Sequence, residues 1–389
     1  MNGASYMAGP ELSRVQRRGL LVGIPVFTLC LAGAYFSPAQ FFRSYLFGYL
    51  FWTSTALGCL AIVLLQHLTG GAWGLMIRRL VESGSRTLPL MALLFLPVAL
   101  GVRELYGWAG PATTVPHQQA YLNAPFFLAR AVFYFAAWSG LAFLLSKWSR
   151  EQDATGGRRR ASRNLQLWSG PGLVLYGLTA TFASIDWVMS LEPRWSSSIF
   201  GISMIGGQAL SGMALAIAAV VLLAKYEPLA AALQPRHLHD LGKLLLALVM
   251  LWAYFAFSQL LIIWSGNLPE EIPWYLHRLH GGWGWIGLLL VLFHFALPFL
   301  LLLSRDLKRS APAMALLALA ILFLRLVDLF WLTAPEFWPG GFHLSWMDVA
   351  APVGIGGLWV ACFAWQLKGR PLLPVGDPDL AEALEHERH

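Results

Sequence analysis

The amino-acid sequence predicts an all-α integral membrane protein with about ten transmembrane helices. Three observations carry that reading. Of 389 residues, 57% are hydrophobic and only 12% are charged, about half the charged share of a soluble domain, so lipid must solvate much of the surface. Ten apolar runs are each long enough to cross a bilayer, which takes about 20 residues. Lysine and arginine fall almost entirely on one side of those runs. The net charge of +7 is spread over several loops rather than gathered on one basic face, which argues against a nucleic-acid footprint.

In chain order the runs are Gly19–Phe36, Tyr45–Leu65, Leu88–Tyr106, Ala124–Leu145, Leu167–Leu191, Ile199–Leu223, Leu244–Trp264, Trp283–Leu303, Ala311–Leu332 and Val349–Trp365. Their length and continuity specify helices, because barrel strands are shorter and alternate apolar with polar. Arg14, Arg17 and Arg18 precede the first run, and Ala32-Gly33-Ala34 looks like a signal-peptidase site. The run is read as a retained first helix.

The loops set the orientation. Basic residues lie before helix 1 and after helices 2 (Arg78, Arg79, Arg86), 4 (Lys147, Arg150, Arg158, Arg159, Arg160, Arg163), 6 (Lys225, Arg236, Lys243) and 8 (Arg305, Lys308, Arg309), and in the tail (Lys368, Arg370, Arg388). Only Arg43, Arg103, Arg194 and Arg278 fall in loops of the other side. The basic side is therefore expected to be cytoplasmic, with both termini inside and the Lys147–Arg163 loop near anionic headgroups. Trp108, Trp168, Trp264, Trp283 and Trp365 at span ends read as an interfacial belt. The tail after Arg370 is polar and acidic and carries no legible signal.

Internal similarity divides the chain. Ser44, Phe47-Gly48 and Ala56-Leu57 of helix 2 reappear as Ser198, Phe200-Gly201 and Ala209-Leu210 at helix 6. Trp108-Ala109-Gly110 and Tyr121-Leu122-Asn123 reappear as Trp264-Ser265-Gly266 and Tyr275-Leu276-His277. Asp186-Trp187 with Pro193 and Trp195 reappears as Asp328-Leu329 with Pro335 and Trp338. Helices 2–5 and 6–9 thus read as two pseudo-equivalent four-helix bundles of the same orientation, with helices 1 and 10 peripheral. The expected units are residues 1–43, 44–197, 198–345 and 346–389.

Cys30, Cys59 and Cys362 lie apart in apolar runs, with no spacing for covalent haem or an iron–sulfur cluster. His294 is the only histidine near mid-membrane, while His67 lies at a helix end and His117, His277, His280 and His343 lie in outer loops. That distribution argues against a dihaem cytochrome. No phosphate-binding or dinucleotide fingerprint is present.

Ionisable residues in a span cost about 3 kcal/mol each even on lenient insertion scales, so each needs a partner or a task. The candidates are Glu104 with Arg103 at the end of helix 3, Arg130, Asp186, His294, Arg325 and Asp328. Arg325 and Asp328 are three apart and share a helix face. Arg130 and Asp186 lie at similar depth. Two readings stand side by side: ion pairs that lock helix packing, and a hydrated proton path. His294 reads as a hydrogen-bonded packing histidine rather than a metal ligand. Asp240, Lys243, Tyr254 and Ser258 are spaced as an inner half-path towards it.

Two long segments, Asp186-Trp187-Val188-Met189-Ser190-Leu191-Glu192-Pro193 with Trp195, and Trp264-Ser265-Gly266-Asn267-Leu268-Pro269-Glu270-Glu271 through Trp274-Tyr275 and Gly281-Gly282-Trp283, resemble one family. It is the membrane subunits of bacterial alternative complex III, related to the polysulfide reductase (NrfD-like) membrane subunit. The smaller, ActF-like subunits are the most similar, over helices 2 to 10. The resemblance implies a subunit of a quinol:electron-acceptor oxidoreductase in the bacterial inner membrane. Iron–sulfur clusters, c-type haems and the quinol are then expected in partner subunits, including a sister membrane subunit, with no cofactor in this chain. It further implies proton conduction and bracing of the assembly, and carries the family's membrane charges over to Asp186 and, behind it, Arg130, Arg325 and Asp328. Two alternatives remain: a quinol-binding subunit using His277 or Glu104, and an independent secondary transporter.

Overall fold

A computed structural model describes residues 9–110, 118–156 and 159–380; His117, Arg158 and Arg388 lie outside them. Ten helices are long and apolar enough to cross a bilayer: α1 (Gly9–Phe36), α2 (Pro38–Thr69), α3 (Arg78–Leu100), α4 (Ala124–Ala154), α5 (Arg160–Leu191), α6 (Phe200–Leu223), α7 (Pro235–Gly266), α8 (Trp283–Leu303), α9 (Ala311–Phe337) and α10 (Trp346–Lys368). No strand occurs among the described residues. The protein is an all-α integral membrane protein.

Most helices run past their apolar windows. Hydrophobicity marks what lies in hydrocarbon, whereas local capping chemistry sets where a helix begins. Prolines occupy the first turn of α2, α4, α7 and α9, where the missing N–H costs no intrahelical bond. The Asn123 side chain accepts the Phe126 N–H at the start of α4, 2.9 Å away. Ser345 and Asp348 form a reciprocal capping box on α10.

The centre of the bundle is α2 against α6. They cross at Gly58 and Gly212, where a Cβ on Gly58 would lie 1.7 Å from the Gln208 carbonyl oxygen. Only hydrogen side chains permit so close a backbone approach. Around this crossing α5 packs on α6 and α9 packs on α2. The internal repeat equates those two contacts, because it pairs α2 with α6 and α5 with α9. Gly58→Val is expected to destabilise the fold by about 3 kcal/mol through overpacking. Chemical unfolding in detergent, followed by tryptophan fluorescence, measures that loss.

Two expectations are revised by burial. α1 is peripheral, with 22% of its apolar window buried, but α10 is not, with 67% buried between α1 and α2. Trp168, Trp264 and Trp365 are exposed as an interfacial belt requires, whereas Trp108 and Trp283 are buried in the core. Tryptophan serves both environments because it is a large apolar body with one donor.

The end of the bundle carrying the arginine-rich loops, the basic end, holds a third revision. Arg78 and Arg79 do not lie in a solvated loop. They open α3 and are buried, as are Glu82 and Arg370. Glu82 accepts from Arg78 at 3.0 Å, Arg79 at 2.7 Å, Arg370 at 3.0 Å and the Ser149 hydroxyl at 2.6 Å. Arg78 also reaches Asp377, and Arg79 reaches Asp153. Three arginines thus face three carboxylates with no net charge. The tail after Arg370 folds back into this knot, where Asp377 bonds Arg78 and the Gly376 N–H bonds Asp153.

Candidate functional site

The candidate charges of the first bundle form one closed cluster. The Arg130 guanidinium grips Asp186 with two parallel bonds of 2.8 Å, from Nε to Oδ2 and from Nη2 to Oδ1. Tyr134 Oη donates to Asp186 Oδ2 at 2.8 Å. Arg130 Nη1 donates to the Tyr121 carbonyl oxygen at 3.0 Å, and its guanidinium lies 3.8 Å from the centre of the Tyr121 ring. Both carboxylate oxygens and all the guanidinium faces are engaged, the bidentate arrangement that is strongest for this pair. Burial, with the Asp186 charge adding to it, pushes the Tyr121 phenol up to about 12, so it stays protonated beside the pair.

The second bundle holds an open counterpart. Arg325 bonds Asp328 Oδ2 within α9, and Trp252 Nε1 of α7 donates to the same oxygen at 3.3 Å. The Trp252 ring meets the His294 imidazole edge to face at 4.4 Å. His294 is fully buried, and neither of its ring nitrogens has a hydrogen-bond partner. No protein group among the described residues supplies the hydrogen bond that the sequence reading expects of this ring. His294 sits in a π-helical stretch, Leu290–Ala296, inside α8, a local widening that recurs at functional sites. Arg325 presses against α6 at Gly207, where a Cβ would lie 2.1 Å from its Nη2.

Other sequence candidates lie elsewhere. Glu104 is exposed on the short helix Val102–Leu105, and its side chain makes no ion pair or hydrogen bond among the described residues. Asp240 and Lys243 pair with each other at the surface, 2.9 Å apart. Tyr254 is 63% exposed and faces away from the bundle. The inner half-path is not assembled by these residues.

Three participants were not singled out from sequence. Tyr134 lies four residues after Arg130, on the same helix face, and that spacing was the available signal. Trp252 has no sequence signal linking it to Asp328. Glu336 follows the repeat's Pro335 directly but has no counterpart at that spacing in the first copy.

The two motif segments meet at the end of the bundle opposite the basic end. Trp195 of the first stacks on Trp274 of the second with ring centres 4.6 Å apart and planes 12° from parallel. Trp187 packs among Tyr49, Phe95, Phe135 and Trp138. Close by, Arg278 on the short helix Ile272–Leu279 is buried, donating to the carbonyl oxygens of Trp274 at 2.9 Å and Leu332 at 2.7 Å. Burial pulls its pKa down to about 10, against the opposing pull of Glu336 and Glu192, so it remains a cation at neutral pH. No protein-family model matches the chain, and no curated protein matches it.

Proposed function

We propose that the chain is a membrane subunit of a quinol:electron-acceptor oxidoreductase complex of the bacterial inner membrane, without a redox cofactor of its own, that conducts protons through the α7–α8–α9 region. Membership of the complex rests on the motifs around Asp186 and Trp274 that resemble alternative complex III. Iron–sulfur and c-haem subunits and a sister membrane subunit are the partners on this reading. Both termini are cytoplasmic on it, following the basic loops.

The proton reading is carried by His294. A buried polar group with no protein partner calls for water or a transient ligand. An imidazole can take a proton on one nitrogen and release one from the other. Asp328, joined to the His294 environment through Trp252 and to Arg325 directly, supplies a second exchangeable group one helix away. The Asp186 cluster has no open valence of this kind.

The test is purification by a tag on this chain, then reconstitution into liposomes. Haem and iron–sulfur subunits are expected to co-purify; isolation of the chain alone from mild detergent overturns the complex. His294→Phe and Asp328→Asn are then compared with the wild type during quinol oxidation. Electron transfer should persist while proton translocation falls at least about tenfold, a lower bound set below the roughly 10²–10⁴-fold that a positioned proton-transfer group contributes. Unchanged proton-to-electron ratios in intact variant complexes overturn the path.

A further inference from the structure

At the end opposite the arginine knot, three elements bring metal-ligating side chains together. Glu192 follows α5, His277 lies on the helix Ile272–Leu279, and Glu336 lies near the end of α9. One ligand atom from each falls within 4.8 Å of the other two. Glu192 Oε2, His277 Nδ1 and Glu336 Oε2 are all buried atoms without a hydrogen-bond partner. Three such atoms from three separate elements face one another with no cation in hydrogen-bonding contact, and His277 Nδ1 itself stands 3.9 Å from Glu192 Oε1. Arg278 is the nearest cation, with Nη1 3.9 Å from Glu192 Oε2. Its two terminal nitrogens, however, are already committed to the Trp274 and Leu332 carbonyls.

We infer that Glu192, His277 and Glu336 form a binding site for a divalent transition metal, zinc in the first instance. Imidazole nitrogen and carboxylate oxygen are both ligand types that zinc accepts, three protein ligands leave the open position of a non-structural site, and a water completes the tetrahedron. Ligands about 2.0–2.2 Å from zinc lie about 3.4 Å apart, so the residues must close by about an ångström. The His277 side chain is 38% exposed, which gives it freedom to turn and gives the ion a route from solvent. The bound ion would fasten the Ile272–Leu279 helix to the ends of α5 and α9. This site is separate from His294 and does not depend on proton conduction.

The probe is zinc alone, added to the full chain purified in detergent with a competing fluorescent chelator, and cobalt as its spectroscopic substitute. One zinc per chain is expected, and cobalt should give the intense visible bands of a tetrahedral site. His277→Ala, Glu192→Gln and Glu336→Gln should each weaken zinc at least about tenfold, the lower bound set by losing even an outer-shell partner. His280→Ala, an exposed neighbour outside the cluster, should leave affinity unchanged. Unaltered elution and tryptophan fluorescence establish that the variants fold. Absence of stoichiometric zinc, or zinc retained at full affinity by the His277 and Glu336 variants, overturns the site.

Discussion

Glu82→Leu is expected to release the tail and destabilise the protein by about 3–5 kcal/mol, the range for removing one member of a buried ionic group. The size of the effect follows from what Glu82 satisfies. It is the shared acceptor of Arg78, Arg79 and Arg370, all of them buried. Leucine keeps the volume but leaves an excess positive charge inside. Arg370 loses its carboxylate and retains only the Ser146 hydroxyl as a side-chain hydrogen-bond partner among the described residues. Burial already pulls the Arg370 pKa down to about 10, which the Glu82 charge offsets, so the substitution removes the charge that holds the guanidinium in place. The segment from 371 to 380 should then become accessible to protease, and the thermal midpoint in detergent should fall. Arg370→Met in the Glu82→Leu background should recover part of the loss, since it removes one of the unpaired cations. A tail that stays protected in the single variant would mean that packing of Leu372 and Leu373, both buried, holds it unaided.

Only part of this knot has a pattern in the linear sequence. Ten spans are legible because lipid demands long apolar runs, and each apolar window lies on a membrane-length helix, except that the third outruns its helix past Leu100. The helix ends are not, because Asn123, Ser345 and the first-turn prolines set them by local bonding that hydropathy ignores. Hydropathy alone leaves Arg78 and Arg79 outside the third apolar window, as loop charges. The spacing of Arg78, Arg79 and Glu82 was visible as a helical repeat of three and four, but Arg370, Asp153 and Asp377 join them only in three dimensions. Equal depth alone pairs Arg130 with Asp186, and spacing pairs Arg325 with Asp328. The bond of Trp252 to Asp328 and the unpartnered ring of His294 have no linear signature. Glu104 is charged near a span, yet its side chain is exposed.

Asp186→Ala is expected to produce the second large effect, also about 3–5 kcal/mol, and to do so through stability rather than proton transfer. The two repeats place an aspartate at the same position, and the surroundings differ. Asp186 receives two bonds from Arg130 and one from Tyr134, with both oxygens engaged. At Asp328 the bonds from Arg325 and Trp252 converge on Oδ2. A carboxylate gripped by three donors is poorly placed to exchange protons, because a proton arriving on either oxygen must displace a charge-assisted bond. Arg130 closes the site further, with Tyr121 and Phe126 rings on its guanidinium at 3.8 and 4.3 Å. Asp186→Ala strands that guanidinium in the membrane, whereas Arg130→Met with Asp186→Ala removes both charges together. The double variant should therefore be more stable than Asp186→Ala alone, a coupling that a double-mutant cycle reads directly. Tyr134→Phe should cost only about 1–3 kcal/mol, the value of one hydrogen bond to a charged group. In liposomes, any Asp186→Asn complex that remains assembled should translocate protons at the wild-type ratio to electrons. A selective loss of proton movement there, with quinol oxidation intact, would place Asp186 on the path and reverse the roles of the two repeats.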